Sequence, residues 1–233
     1  MSEFTGIPAV GLHFLEALAE NNIREWFEAN KQTYLDQLQA PTLALIVELG
    51  KRLKTITPDI QYDTRTNGSG SLMRINRDTR FSPDKTPYKT NVTFMFWEGA
   101  GKKTEKPGFG MRFDASGGGL LAGIYGFPKP MLNAYREAVL DDELGPELIE
   151  AVEQVKKSGN YTIGGEQYRR VPQGFPADHE RANWLRYGGL HAFAPQISPD
   201  ELTSPQLVDH CFAHFVEMAP IQRWLVKVDQ KVK

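Results

Sequence analysis

The spacing of apolar residues changes twice along this chain, and that change constrains the fold more than any other feature. Through Gly11 to Ile56 the residues Leu12, Leu15, Leu18, Ile23, Phe27, Tyr34 and Leu38 recur every three to four positions, the mark of amphipathic helices. Between about Ser71 and Phe127 the period falls to two, which is a strand signal. From Tyr88 onward Val92, Phe94 and Phe96 share one face, while Lys89, Asn91 and Thr93 share the other. Phe109, Met111 and Phe113 alternate with Gly110, Arg112 and Asp114 in the same way. After Pro128 the helical period returns, in Met131 to Leu140 and in Pro146 to Lys157. Helices before and after a run of strands predict an α+β fold, with an antiparallel meander in the middle of the chain (about 71–127) flanked by N-terminal helices (about 9–56) and C-terminal helices and loops (about 128–233).

Local punctuation refines this outline. Asn22 with Glu25 predicts an N-cap, and Pro41 suits the first turn of a helix over Thr42 to Lys54. Gly117 to Gly119 read as a hairpin turn between neighbouring strands. The stretch Tyr161 to Ala192 is dense in turn signals and reads as irregular. Ser198 with Glu201 makes a capping box, Pro205 fits the start of a helix to Met218, and Pro220 starts or kinks the last one. No repeat, low-complexity tract or linker divides the chain, so a single α+β domain over 1–233 is expected.

Charge and cysteine content then exclude several classes of function. Lys and Arg number 27 against 29 Asp and Glu, a net charge of -2, so any positive site must be local. That balance argues against nucleic acid as a partner of the whole surface, and against a membrane. The lone Cys211 has no partner for an intramolecular disulfide or a paired-cysteine metal site, and reads as a small core residue of a reducing compartment. Near the start lie Glu3 and Glu16 rather than a basic leader, and no apolar run approaches the ~18 residues that would cross a bilayer, so a cytoplasmic location is expected.

The local positive site is easy to find. Residues 74–89 hold Arg74, Arg77, Arg80, Lys85 and Lys89 against only Asp78 and Asp84. Extended to Arg112, the segment carries nine cations against four carboxylates, or +5, which leaves -7 for the rest of the chain. Guanidinium forks match phosphate and carboxylate oxygens bidentately, and lysine adds a mobile point charge, so a turn-rich segment with both suits an anion. The competing reading is that Asp78 and Asp84 pair with the arginines and pin a long loop to the sheet.

The run Arg74-x-x-Arg77-Asp78-x-Arg80-Phe81-x-x-Asp84-Lys85-x-x-Tyr88, preceded by Asn21-Asn22-x-Arg24-Glu25-Trp26-Phe27-x-x-Asn30-Lys31-x-x-Tyr34, resembles an uncharacterised bacterial family, the domain of unknown function 2461. Arg169-Arg170-Val171-Pro172-x-Gly174-Phe175, with Asp178-His179 and Leu185-Arg186, resembles its C-terminal pattern, so the likeness covers nearly the whole chain. The resemblance implies no activity.

Other candidates are weaker. Trp26, Asn30 and Tyr34 lie on one side of a helix, and Asn30 is a clamp for a strand or for the basic loop. Arg170 and Arg186 are expected to complete the anion pocket, whereas Arg169 and Arg181 read as surface ion pairs. His210 and His214 have helical metal spacing but no third ligand, so no metal is expected. The glycine-rich 67–71 precedes a strand rather than a helix, unlike a phosphate loop, and no cofactor is expected.

The expected partner is therefore a small anionic ligand bearing phosphate or carboxylate, over the polar sheet face. Its binding set is Arg74, Arg77, Asp78, Arg80, Lys85, Tyr88, Lys89, Arg170 and Arg186, with Asp78 orienting the arginines and Tyr88 giving a hydroxyl or a wall. Should the site be catalytic, the chemistry would be electrostatic stabilisation, with Asp78, Asp84 or His179 handling protons. The alternative is an interaction module that docks an acidic protein surface or a nucleic-acid backbone through 74–112.

Overall fold

The computed structural model describes residues 4–232. Helix α1 (Ala9–Glu20) is followed by α2 (Arg24–Tyr34), a π-helical turn (Leu35–Gln39) and α3 (Ala40–Leu53), the last three continuous. The π turn absorbs Pro41, which has no N–H to offer the Gln37 carbonyl. Gly11 of α1 approaches so closely there that a Cβ would meet that carbonyl oxygen at 2.2 Å. The cap expected at Asn22 is absent: α2 begins at Arg24 with Ile23 as its uncapped entry. Asn22 is used elsewhere, as described below.

The strands are β1 (Ile60–Gln61), β2 (Val92–Glu98), β3 (Gly108–Asp114), β4 (Gly117–Ile124), β5 (Thr162–Glu166) and β6 (Tyr187–Phe193). They form one sheet in the order β1-β2-β3-β4-β6-β5, antiparallel throughout. Two expectations are corrected here. Gly117 to Gly119 belong to β4, and the turn before them is Ala115 and Ser116, held by Asp114, whose Oδ1 accepts from the Ser116 N–H (2.8 Å) and hydroxyl (2.6 Å). The stretch Tyr161 to Ala192 is not irregular throughout, because it contains β5 and β6. Its strands were hidden by glycines that have steric reasons of their own. A Cβ on Gly164 would lie 2.4 Å from His191 Nε2, and Gly165, at φ +114°, sits in a register shift beside the Gly189 carbonyl.

Helices α4 (Lys129–Leu140), α5 (Leu144–Ser158), α6 (Pro199–Thr203) and α7 (Leu207–Asp229) complete the α+β architecture. The capping box at Ser198 and Glu201 forms as expected. Helix α7 runs through Pro220, so the proline does not start the last helix as one expectation had it. Met218, Ala219, Ile221 and Leu225 are fully buried around that proline, and this burial outweighs the ~3 kcal/mol that an interior proline costs. Across the covered sheet face, Phe215 of α7 meets Phe109 (ring centroids 5.1 Å apart) and Phe96 (6.5 Å). Cys211 is buried there with its Sγ 4.0 Å from the Met111 sulfur, and burial pushes its thiol up to about 12. The buried apolar side chains join in one cluster from Phe4 to Val228. Among the described residues, no helix is long and apolar enough to cross a membrane.

Candidate functional site

Strand alternation leaves the second sheet face without helices over its centre. Phe94, Phe96, Phe109, Met111, Leu120 and Ala122 point into the core, so Thr93, Met95, Gly110, Arg112, Gly119 and Leu121 fall on the open side. A groove of about 770 Å³ lies over this face, floored by glycines and walled by Met95, Leu121, Tyr125 and Phe193.

The basic segment is built onto the β2 edge of that groove. Ser71 to Met73 run beside β2, with the Met73 N–H on the Thr93 carbonyl (2.9 Å) and the Met95 N–H on the Ser71 carbonyl (3.2 Å). The chain then folds back on itself, with Arg77 N–H to Pro87 O and Lys89 N–H to Ile75 O, both 2.8 Å. Asn22 docks this hairpin to the helices. Its Nδ2 donates to the Tyr88 carbonyl at 2.9 Å and its Oδ1 accepts from the Tyr88 N–H at 3.0 Å. Asn22 thus fills the clamp role expected of Asn30, whose side chain only donates back to Trp26 O. Tyr88 itself is buried, its ring stacked on Phe27 at 4.1 Å, so it is a core staple beside a smaller cleft of about 260 Å³ that Arg74 also lines.

Most of the nine cations find local partners. Arg77 pairs with Asp84 and Thr86, and Arg80 binds Asp78 through Nε (2.9 Å) and Nη2 (2.7 Å). Each arginine's hydrogen bond holds its aspartate down at about 2. These carboxylates are ionised acceptors already engaged, which makes them poor proton donors. Lys85 Nζ donates to Thr79 O at 2.8 Å, Lys102 pairs with Glu105 (2.8 Å), and Lys106 with Asp229 (2.8 Å). Arg77, Asp78, Arg80 and Lys85 therefore close the loop tip on itself: the aspartates pair with the arginines as the competing reading anticipated, but these bonds stay within the tip rather than pinning it to the sheet.

Arg74, Lys89, Lys103 and Arg112 remain without a carboxylate partner among the described residues. Lys89 follows the buried Tyr88 and lies opposite Ile75 in this hairpin. Its Nζ donates to Arg74 O at 2.7 Å. Lys103, on the short 3₁₀ turn Lys103–Glu105, donates to Gly68 O (3.0 Å) and to Gly70 O. The Arg74 side chain passes over Gly68, where an added Cβ would lie 2.8 Å from its Cδ. Burial lowers the Lys89 pKa, and Arg74 lowers it further; burial also lowers that of Lys103, with Lys89 adding to the effect. Asp63 opposes the shift at Lys103, but its carboxylate is engaged by Arg65, with Nε at 2.6 Å. Lys103 was missed as a site residue, because only the 67–70 loop brings it to Lys89 from fourteen positions away in the sequence.

The C-terminal candidates lie elsewhere. Arg186 bonds Glu166 (2.9 Å) across β5 and β6, and Arg170 is exposed on the loop after β5. At about 4.8 Å per strand, β6 lies roughly 19 Å from the Ser71 to Met73 segment, so Arg186 does not join Arg74. His179 Nδ1 accepts from the Arg181 N–H at 3.1 Å. Arg181 keeps an ion pair, with the exposed Glu180 (2.8 Å), but is buried rather than on the surface, with Nε on Val139 O at 2.8 Å. His210 contacts Glu201 (3.1 Å) and His214 contacts the Tyr161 hydroxyl (2.8 Å), and no metal-binding group of three side chains occurs among the described residues.

No curated protein matches this chain. Residues 11–224 match a protein family described as "Conserved hypothetical protein (DUF2461)". The α+β chain, with its basic hairpin docked through Asn22, belongs to the DUF2461 family.

Proposed function

We propose that this protein binds a small ligand bearing phosphate or carboxylate at the β2 edge of the sheet, with the anionic group against Lys89, Lys103 and Arg74. The observation that carries this reading is the pair of partly buried lysines, whose ammonium groups rest on main-chain carbonyls and face no free carboxylate. Withdrawing a cation from water without an opposite charge costs several kcal/mol, and an incoming oxyanion offsets that cost. The same anion would draw both lysine pKa values back up. A lone buried thiol at Cys211 supports a reducing, cytoplasmic setting.

The test is a titration with inorganic phosphate, followed at lysine Nζ by nitrogen NMR. Lys89 and Lys103 should shift together, and the Lys89→Gln/Lys103→Gln double variant should lose binding while keeping its circular dichroism spectrum. Arg80→Gln should bind as the parent does, because Arg80 is committed to Asp78. Silence at both lysines, or equal loss in Arg80→Gln, overturns the reading.

A second reading has one observation in its favour. Phe81 is 92 % exposed at the hairpin tip, beside Arg80 and Lys85, a projecting apolar group among cations that suits docking to an acidic protein surface or a nucleic-acid backbone. Retention that falls steeply with salt and is lost in Phe81→Ser supports docking. Phosphate binding that survives both supports the pocket.

A further inference from the structure

The groove over the open sheet face adds a second requirement to the ligand, and the inference here rests on the anion-binding reading above. Across the strands, one row of side chains runs Met95, Gly110, Leu121, Phe193, and the next runs Thr93, Arg112, Gly119. Gly110 therefore lies between two apolar side chains, each one strand away on backbones about 10 Å apart, which leaves a slot with bare peptide planes as its floor.

Gly119 has no packing reason to be glycine. A Cβ built there meets nothing within 4 Å, and its backbone is not in the left-handed region. A strand glycine of this kind costs stability of roughly 0.5–1 kcal/mol and leaves open space in return. The walls are apolar and face water: Phe193 is 37 % exposed and Tyr125 75 %. Arg112 stands at the same floor, exposed and without an acidic partner among the described residues, while the neighbouring Asp114 is turned to the Ser116 turn.

We infer that the ligand is a flat organic anion, an aromatic or heterocyclic ring carrying phosphate or carboxylate, with its ring over Gly110 and Gly119 between Met95 and Leu121. The charge is met from the β2 edge and from Arg112. The backbone of Ser71 to Met73 lies two strand spacings, about 10 Å, from β3, a gap that a ligand held both at this edge and in the slot would bridge. The volume suits a ligand up to the size of a nucleoside monophosphate.

Calorimetry with 1-naphthyl phosphate, inorganic phosphate and 1-naphthol tests this. Naphthyl phosphate should bind at least tenfold more tightly than phosphate, and naphthol should bind more weakly than naphthyl phosphate. Gly119→Phe, which fills the slot from an unobstructed position, should remove the tenfold increment and leave phosphate affinity unchanged. Leu121→Gln, which strips one wall, should reduce the same increment and serves if Gly119→Phe misfolds. Equal affinity for the two phosphates, or an increment untouched by a folded slot variant, overturns the flat-ligand inference while the lysine site stands. Naphthol binding as tightly as naphthyl phosphate overturns the anionic part. Absence of binding by both phosphates overturns the underlying reading.

Discussion

Replacing Asn22 by alanine should destabilise this protein by about 2 kcal/mol, and the structure supplies the reasoning. The Asn22 carboxamide makes two bonds to one residue, accepting from the Tyr88 N–H at 3.0 Å and donating to the Tyr88 carbonyl at 2.9 Å. Each such bond contributes about 1 kcal/mol net, and leaving the Tyr88 groups dry would raise the total toward about 3 kcal/mol. The stacking of Tyr88 on Phe27 survives the substitution, so the hairpin stays partly docked and global unfolding is not expected. Asn22→Asp separates the two bonds. It keeps the acceptor for the N–H but turns a carboxylate oxygen toward the Tyr88 carbonyl, so at pH 7 it should be no more stable than Asn22→Ala. Its folded-state carboxyl pKa is raised by that repulsion, so it should regain stability as the pH falls and the carboxyl takes up a proton. Urea unfolding at pH 7 and pH 4 measures both, with unchanged m-values expected. A loss below about 0.5 kcal/mol for alanine, or an aspartate variant equal to the parent at pH 7, would refute the claim that this amide pair docks the hairpin.

Gly119→Val should raise stability by up to about 1 kcal/mol, since a branched side chain suits a strand and meets no obstruction; a fall in melting temperature would show that the space over β4 is not free. Asp78 and Asp84 have folded pKa values near 2, below the unfolded value, so their contribution to stability is present above about pH 4 and fades as pH drops through about 2. Carbon NMR of the Asp84 carboxyl should find its midpoint returning toward the ordinary range in Arg77→Gln, and an unmoved midpoint would remove Arg77 as the cause. Cys211, with its thiol near 12, should be about one part in ten thousand thiolate at pH 8 and should react with Ellman's reagent only after urea is added. Fast labelling of the native protein would contradict its burial.

Much of the fold could be read from residue order wherever a face is buried on one side only. Val92, Phe94 and Phe96 alternate because one side of β2 is buried in the core, where Phe96 meets Phe215 of α7, and that contrast survives in the sequence. Strands β5 and β6 lacked it, because Gly165 and Gly189 sit against backbone carbonyls and Gly164 and Gly188 against the His191 and Gln167 side chains, and glycine carries no polarity signal. The charge surplus was equally legible, but its distribution was not. Arg77 and Arg80 are satisfied by aspartates seven and two residues away, which composition cannot distinguish from a ligand site. Of the groups left over, Lys103 reaches the Arg74 side chain's neighbourhood through Gly68 and Gly70, a loop whose path depends on Gly70, where an added Cβ would lie 2.1 Å from the Arg65 carbonyl. Asn22 looked like a helix cap because a carboxamide serves equally well as a strand mimic, and only the tertiary position of Tyr88 decides between them.

The hairpin tip invites a different kind of manipulation. Arg77, Asp78, Arg80, Asp84 and Lys85 spend their bonds on one another and on Thr79 and Thr86, so beyond the rung between Arg77 and Pro87 the tip is braced by its own side chains. Such a knob is modular: a short tight turn could replace 78–86 and leave Lys89 where it stands. Whatever the knob touches in the cell and whatever the groove holds can thus be separated with a single deletion.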